Sequence, residues 1–266
     1  MVDAYAHGHH ASVLKSHTWR TAENSAAYLL PHLAPGSRVL DVGSGPGTIT
    51  ADFAEIVAPG EVVGIDAAAD VNAKASADAA PRLLENLRFE TGDAYDLQYP
   101  EASFDVVHAH QVLQHVGDPV TMLREMRRVT TPGGVVAARD VDYGGVILSP
   151  ESGVLDAGLA LYLRAHAGAR GEPCAGRYLK SWARAAGFSE VTSSASLWLF
   201  ETDEDRAWWG GMWAERILSS AFADNALRLG LAEQSDLERI SEGWKRWASN
   251  PDGWMLMPHA EIVARP

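Results

Sequence analysis

Short apolar runs alternate with helix-like segments along the first half of the chain. The runs are too short for helices, and they are apolar at consecutive positions, which is typical of strands buried on both faces of a parallel sheet. They lie at residues 39–42, 61–66, 87–93, 103–110 and 135–140. The segments between them, such as 48–57 and 118–130, have the periodicity of helices. This alternation predicts an α/β fold with helices on both faces of the sheet.

The second half of the chain has a different pattern. Residues 151–187 look mostly helical, 190–200 form a predicted sixth strand, and the end of the chain alternates like a seventh. Residues 203–250 between these strands are predicted to be a helical insertion that forms a lid. Five of the nine tryptophans lie there, and we expect most of them in a core and one or two against substrate. They are Trp208, Trp209, Trp213, Trp244 and Trp247.

The length favours one domain over residues 1–266, because 266 residues with 47% hydrophobic content can bury a sizeable core. Residues 20–33 have the pattern of an amphipathic helix. The predicted organisation is therefore a single domain with a helical N-terminal segment, residues 1–34, over a cofactor site.

Charge and composition limit the partners and the compartment. The net charge of −13 disfavours an extended nucleic-acid footprint and docking on anionic lipid. No apolar run reaches the length of a membrane span, and the N-terminus has no secretory pattern. The only cysteine, Cys174, excludes an intrachain disulfide and a multi-cysteine metal site. We therefore expect a cytoplasmic protein without nucleic acid, membrane insertion or metal, and we interpret His7, His9 and His10 as a polar segment.

The stretch "VLDVGSGPGTIT" has the layout of strand, glycine loop and helix. Such a loop brings the backbone close to a ligand at a helix N-terminus. Gly43, Gly45 and Gly47 alternate, whereas the dinucleotide fingerprint requires a glycine at the position of Thr48. A cofactor site is predicted here, and an NAD-dependent oxidoreductase is a less favoured alternative.

Acidic residues follow the next two strands of the predicted sheet. Asp66 ends the second strand, where a carboxylate can accept hydrogen bonds from two ribose hydroxyls. Asp93 follows the third strand and could meet an exocyclic amine. The carboxyl ends of parallel strands lie at one edge of a sheet, so both acids are expected beside the glycine loop.

Residues 33–136 resemble the class I S-adenosylmethionine-dependent methyltransferases, of the small-molecule type related to the ubiquinone-biosynthesis and sterol enzymes. The resemblance depends on the order and spacing of several motifs, which are "VLDVGSGPG", "VVGID", "LRFETGDAYDLQYPEASFDVV" and "LQHVGDPVTMLREMRRVTTPGG". It implies a Rossmann-like sheet of seven strands in the order 3-2-1-4-5-7-6, with strand 7 antiparallel.

The resemblance also implies S-adenosyl-L-methionine as cofactor and a set of site residues. Gly43, Gly45 and Gly47 would border the methionine part, Asp66 would bind the ribose, and Asp93 with the backbone of Ala94 would contact adenine. Ala67 takes the place of the usual larger apolar residue beside adenine. The residues after the fourth strand, His110 and Gln111, would face the methionine end and the acceptor.

The predicted activity is methyl transfer to a small, largely apolar acceptor, in secondary or quinone-like metabolism. Methylation at oxygen, nitrogen or carbon remains open. His110 is the first choice as base if the acceptor is a phenol or an enolisable carbon, because an imidazole titrates near neutral pH. The alternative bases are Asp140, Asp142 and Tyr143. An alternative function on the same fold is that of a cofactor-binding protein without methyl transfer, such as a cyclase.

Overall fold

The computed structural model describes residues 19–168 and 171–266. A mixed sheet forms its centre, and helices cover both faces. The strands are β1 (Val39–Val42), β2 (Val62–Asp66), β3 (Leu87–Thr91), β4 (Phe104–His110), β5 (Thr130–Val141), β6 (Ile147–Ser149), β7 (Glu190–Phe200) and β8 (Trp254–Arg265). The helices are α1 (Ala22–Ser25), α2 (Thr48–Val57), α3 (Ala69–Ala79), α4 (Pro119–Val129), α5 (Gly153–Gly168), α6 (Leu179–Ala185), α7 (Asp203–Ser219), α8 (Ala221–Arg228) and α9 (Gln234–Ala248).

The strand order confirms the predicted topology. Strands β3, β2, β1, β4 and β5 are parallel neighbours in that order, and β8 lies antiparallel between β5 and β7. The predicted sixth and seventh strands are thus β7 and β8. The short β6, which falls in a segment predicted to be a loop, is an addition. Leu256 of β8 pairs with both Ile147 and Leu199, so β6 lies on the same side of β8 as β5.

Successive residues of the buried strands belong to two different apolar layers. Val39 of β1 shares a buried cluster with Phe53 of α2, whereas the next residue, Leu40, shares one with Met122 of α4. All four positions of β1 are buried, as expected for a strand with helices on both faces. Asp118 caps the N-terminus of α4, because its carboxylate accepts a hydrogen bond from the Thr121 amide.

The helical insertion forms a second hydrophobic core with α5. Helices α7, α8 and α9 lie between β7 and β8 in the chain, and their tryptophans pack on one another and on Phe200. Trp209, Trp213, Trp244 and Trp247 are buried, whereas Trp208 is partly buried. No helix in the described ranges is long and apolar enough to cross a membrane.

The prediction of one helix over residues 20–33 is wrong. Helix α1 has only four residues, and a single 3-10 turn follows at Leu30–His32. The indole Nε1 of Trp198 donates to the carbonyl oxygen of Asn24 at 3.1 Å, so this tertiary bond takes an acceptor that a longer helix would use internally. The remaining part of the predicted N-terminal segment, with His7, His9 and His10, lies outside the described residues.

Candidate functional site

A cavity of about 630 Å³ lies at the carboxyl ends of the central strands. This edge is where open α/β sheets bind ligands. Its lining residues are Arg20, Asp41, Val42, Gly43, Ser44, Gly45, Pro46, Thr48, Ile49, Ile65, Asp66, Ala67, Ala68, Val71, Thr91, Gly92, Asp93, Ala94, Tyr95, His110, Gln111, Val112, His115 and Val116. The five tryptophans of the insertion are not among these residues, so a contact between them and substrate remains a prediction.

Two of the three loop glycines line the cavity. Gly43 and Gly45 have φ values of 75° and 53°, in the left-handed region, and both belong to the cavity wall. Gly47, at φ 76°, precedes α2 and is not a lining residue. A Cβ atom on Gly47 would lie 2.6 Å from Cε1 of Phe89 and 3.1 Å from Cβ of Ala75. Gly47 therefore allows the loop to pack closely on β3 and α3.

Asp66 joins the second strand to the glycine loop. Its Oδ2 accepts a hydrogen bond from the Gly45 amide at 3.2 Å, and its Oδ1 accepts one from the Ala68 amide at 3.0 Å. The side chain of Asn72 donates to the carbonyl oxygen of Asp66, which fixes the strand end. A carboxylate has about four acceptor positions, so this oriented side chain retains capacity for ligand hydroxyls.

The predicted adenine end of the cavity combines one acid with apolar side chains. Asp93 accepts a hydrogen bond from the Tyr95 amide at 2.9 Å, and Ala94 lies between these two residues in the wall. Val71, in the first turn of α3 and four residues after Ala67, also lines this cavity. The sequence prediction missed Val71, although it had noted the absence of a large apolar residue immediately after Asp66.

His110 lies at the end of β4 and is 7% exposed. Neither ring nitrogen has a hydrogen-bond partner among the described residues. Burial lowers the pKa of His110 well below its ordinary value, and the nearby charges of Arg20 and Arg139 lower it further. The imidazole is therefore neutral at pH 7, and a ring nitrogen is able to accept a proton or a hydrogen bond in the cavity.

Gln111 adopts an uncommon backbone conformation immediately after β4. Its φ of 54° lies in the left-handed region, and its amide donates to the carbonyl oxygen of Arg139 at 2.7 Å. Such strain in a non-glycine residue is frequent at functional sites. Its side chain contacts Arg20 and His259, with distances of 2.9 Å to Arg20 Nη2 and 2.8 Å to His259 Nε2. The sequence prediction missed both of these neighbours.

The three alternative bases do not line the cavity. Asp140 is fully buried, and burial raises its pKa to about 8. Asp142 pairs with the guanidinium of Arg177, with oxygen to nitrogen distances of 2.6 and 2.7 Å. Tyr143 packs on Tyr162 with ring centroids 4.6 Å apart. Of the residues predicted as catalytic candidates, only His110 and Gln111 line the cavity.

His108 is buried beneath the cavity and contacts Asp41. Its Nδ1 lies 2.8 Å from Asp41 Oδ1, and the hydroxyl of Thr50 donates to Asp41 Oδ2 at 2.6 Å. The ring of His108 is parallel to that of His110, with centroids 6.5 Å apart. These contacts connect the first strand, the second helix and the fourth strand below the candidate site.

Comparisons with known proteins agree with the observed fold. A methyltransferase domain family matches residues 33–165, which is half of the chain. An uncharacterized methyltransferase of Schizosaccharomyces pombe is 36% identical over 97% of this chain and 95% of its own length. The ubiquinone/menaquinone biosynthesis C-methyltransferase of Bdellovibrio bacteriovorus is 40% identical over 42% of this chain and 46% of its own length.

A solved structure is also similar to nearly the whole chain. The [4+2]-cyclase SpnF is 25% identical, with a TM-score of 0.55, over 96% of this chain and 81% of its own. The matched domain covers half of the chain, and the Schizosaccharomyces pombe relative covers nearly all of it. The chain belongs to the family of S-adenosylmethionine-dependent methyltransferases.

Proposed function

We propose that the protein transfers a methyl group from S-adenosyl-L-methionine to a small, largely apolar acceptor that reacts beside His110. One observation carries this proposal: a continuous cavity has Asp66 and Asp93 in one part of its wall and His110 in another, and the ring nitrogens of His110 have no hydrogen-bond partner within the described ranges. Its volume of about 630 Å³ is in the range of small-molecule sites. The pathway that we expect belongs to secondary or quinone-like metabolism.

The chain has a suitable group for each part of the cofactor. In this proposal Gly43 and Gly45 border the methionine portion, and the oriented carboxylate of Asp66 accepts hydrogen bonds from the ribose hydroxyls. Asp93 and the backbone of Ala94 contact adenine, with the apolar walls of Ala67 and Val71 beside it. Gly47 supports the loop from behind, because its position has space for no side chain.

The chemical demands on the protein are modest. The cofactor, when bound, would supply a methyl group on a sulfonium sulfur, and this sulfur leaves readily as the neutral thioether of S-adenosylhomocysteine. The cavity contributes chiefly by orienting the acceptor, an effect that can provide about 7–11 kcal/mol. A neutral His110 can take a proton from an acceptor O–H or C–H group. Gln111 fixes the adjacent part of the wall through its contacts with two other elements.

Calorimetry with S-adenosylhomocysteine and with NAD tests the cofactor assignment. We expect the wild-type protein to bind S-adenosylhomocysteine at one site and not to bind NAD, since Thr48 occupies the position of the third glycine of the dinucleotide fingerprint. Mass spectrometry of hydroquinones, phenols and amines incubated with protein and S-adenosylmethionine then tests transfer. Tight binding of NAD, or no binding of S-adenosylhomocysteine, would overturn the proposal.

A second candidate is a cyclase, favoured by the similarity to SpnF over most of the chain. In that case the cavity would bind the cofactor without consuming it. The two candidates differ in one measurement, the stoichiometric formation of S-adenosylhomocysteine with each product molecule. Product formed with no S-adenosylhomocysteine would favour the cyclase.

The insertion over residues 203–250 remains a proposed lid. Its tryptophans belong to a separate core, and the support for a role near the acceptor is indirect. Tyr162 of α5 contacts Phe222 of α8 and His166, and His166 stacks on the cavity residue His115 with ring centroids 5.1 Å apart. In this proposal the insertion holds the wall at His115. Tyr162→Leu is expected to raise KM for the acceptor while the affinity for S-adenosylhomocysteine stays constant, and an unchanged KM would contradict the lid.

A further inference from the structure

Arg20 brings a positive charge into the cavity from the N-terminal segment. Its guanidinium carbon lies 5.5 Å from the centroid of the Trp198 ring, and its Nη2 donates to Oε1 of Gln111 at 2.9 Å. Among the lining residues within the described ranges, Arg20 is the only lysine or arginine. The lining acids Asp41, Asp66 and Asp93 lie on β1, at the end of β2 and after β3, whereas Arg20 contacts Gln111, which follows β4. The two signs of charge are therefore separated along the edge of the sheet.

A chain of hydrogen bonds determines which way the Gln111 amide faces. The Nδ1 of His259 lies 3.1 Å from the carbonyl oxygen of Met257, which can only accept, so Nδ1 carries the proton. The other ring nitrogen then has a lone pair, and the Nε2 amide group of Gln111 donates to it at 2.8 Å. This leaves Oε1 of Gln111 directed at Arg20. A flipped amide would place its donors against Arg20 and its oxygen against the lone pair of His259.

Burial keeps this chain in one protonation state. His259 is 1% exposed, and burial together with the charges of Arg139 and Arg20 lowers its pKa well below the ordinary value. The neutral ring retains the lone pair that Gln111 requires. The same conclusion follows from geometry alone, because a second ring proton would point at the amide donors of Gln111.

We infer that Gln111 and His259 are positioning residues for Arg20, and that Arg20 makes the acceptor site selective for a molecule that presents a negatively charged oxygen. This inference rests on the proposed function, because it concerns the acceptor part of the same cavity. Phenolates and enolates, which form when a base such as His110 takes the proton of the acceptor, share this chemistry with carboxylates. Arginine pairs with such oxygens through charge-assisted hydrogen bonds, and its charge acts more strongly in a partly desolvated cavity than in water. The same charge disfavours a protonated amine.

Paired probes of equal shape test the inference on the full chain loaded with S-adenosylhomocysteine. One pair is 4-nitrophenol, at a pH above its own pKa, and 4-nitroaniline; the other is benzoate and benzamide. A charge-assisted hydrogen bond predicts that the anion of at least one pair binds roughly 10–100-fold more tightly than its neutral partner. Preference for the phenolate identifies phenols and enols as the acceptor source, and preference for benzoate identifies carboxylic acids.

Variants separate the charge from the fold. Arg20→Gln should remove the anion preference and leave the affinity for S-adenosylhomocysteine unchanged, whereas Arg20→Lys should retain part of the preference. Arg184→Gln, which removes an exposed guanidinium on α6, is the matched control and should change neither quantity. Gln111→Met and His259→Phe should each reduce the preference in the wild-type background. Neither should reduce it further when Arg20→Gln is present, because the residues act as one unit.

The outcomes that would overturn the inference differ from those that would overturn the proposed function. Equal binding of anion and neutral probe, a preference that survives Arg20→Gln, or no binding of any probe would each refute the role of Arg20. Unaltered preference in both Gln111→Met and His259→Phe would refute the positioning role alone. Failure of the protein to bind S-adenosylhomocysteine would refute the proposed function itself.

Discussion

Alanine substitutions at Gly45 and Gly47 should separate the binding and packing functions of the glycine loop. Both residues have positive φ, at 53° and 76°, so alanine is strained at either position by about 1–2 kcal/mol. A Cβ atom on Gly45 would have no atom within 4 Å. On Gly47 it would overlap the ring of Phe89, and such overpacking typically costs about 1–3 kcal/mol more.

The free energy of unfolding should therefore fall by ~1–2 kcal/mol in Gly45→Ala and by ~2–5 kcal/mol in Gly47→Ala. Urea denaturation followed by circular dichroism measures both values, and Gly45→Ala is the matched control for strain. The loss of affinity for S-adenosylhomocysteine, measured by calorimetry, should instead be larger in Gly45→Ala than in Gly47→Ala. Gly45→Ala places a methyl group on a lining residue and weakens binding, whereas folded Gly47→Ala retains it.

Equal destabilisation by the two substitutions would refute the packing argument for Gly47. A larger loss of S-adenosylhomocysteine affinity in Gly47→Ala than in Gly45→Ala, measured where both are folded, would restore Gly47 to the cofactor contacts that the sequence predicted. The comparison needs no acceptor, so it is independent of the proposed reaction.

Three further substitutions follow from the site. Asp66→Asn should weaken S-adenosylhomocysteine binding by roughly 10–100-fold through loss of charge-assisted hydrogen bonds. The control Asp78→Asn, on the surface of α3, should leave binding unchanged. Equal affinities of the two variants for S-adenosylhomocysteine would show that Asp66 does not belong to the site. His110→Asn should lower kcat by about 10²–10⁴ and abolish the acid limb of the pH–rate profile. In the wild-type protein this limb should lie below the usual imidazole range, because burial and Arg20 lower the pKa of His110. An acid limb retained in the variant would exclude His110 as base. Burial lowers the pKa of His166 from 6.5 to about 4, so the unfolded chain binds its proton first and stability is lost as the pH falls through this window. His166→Phe should reduce that loss by about 1.4 kcal/mol per pH unit. Urea denaturation of the wild-type protein and the variant at pH 7 and pH 5 measures the loss, and an equal loss in both proteins would contradict the prediction.

Much of the sheet, and the position of the proposed cofactor residues along its edge, was predictable because the signals are local. Consecutive apolar positions such as Val39 and Leu40 report burial on both faces, and the carboxyl end of a parallel strand fixes where Asp66 lies. The full strand order required the resemblance to the methyltransferases, because periodicity alone does not specify neighbours. The motif alone predicted Gly47 as a cofactor contact. Its packing role could not be predicted from the motif, because the neighbour that requires a glycine there, Phe89, lies on β3.

The acceptor end was harder to predict because it depends on distant contacts. Arg20 was expected on a helix, but α1 begins only after its cap at Thr21, so Arg20 lies outside the helix and in the cavity wall. His259 reaches Gln111 across 148 residues of sequence through the antiparallel placement of β8 beside β5. Neither the position of Arg20 in the cavity nor the contact between His259 and Gln111 has a signal within a sequence window, so only the structure shows them.

A crystal structure of the protein with S-adenosylhomocysteine tests the central claim most directly. We predict that the ligand occupies the cavity of about 630 Å³, with its ribose hydroxyls bonded to Asp66, its adenine beside Asp93 and Ala94, and its sulfur directed towards His110. A ligand bound elsewhere, or a ribose that does not contact Asp66, would contradict it.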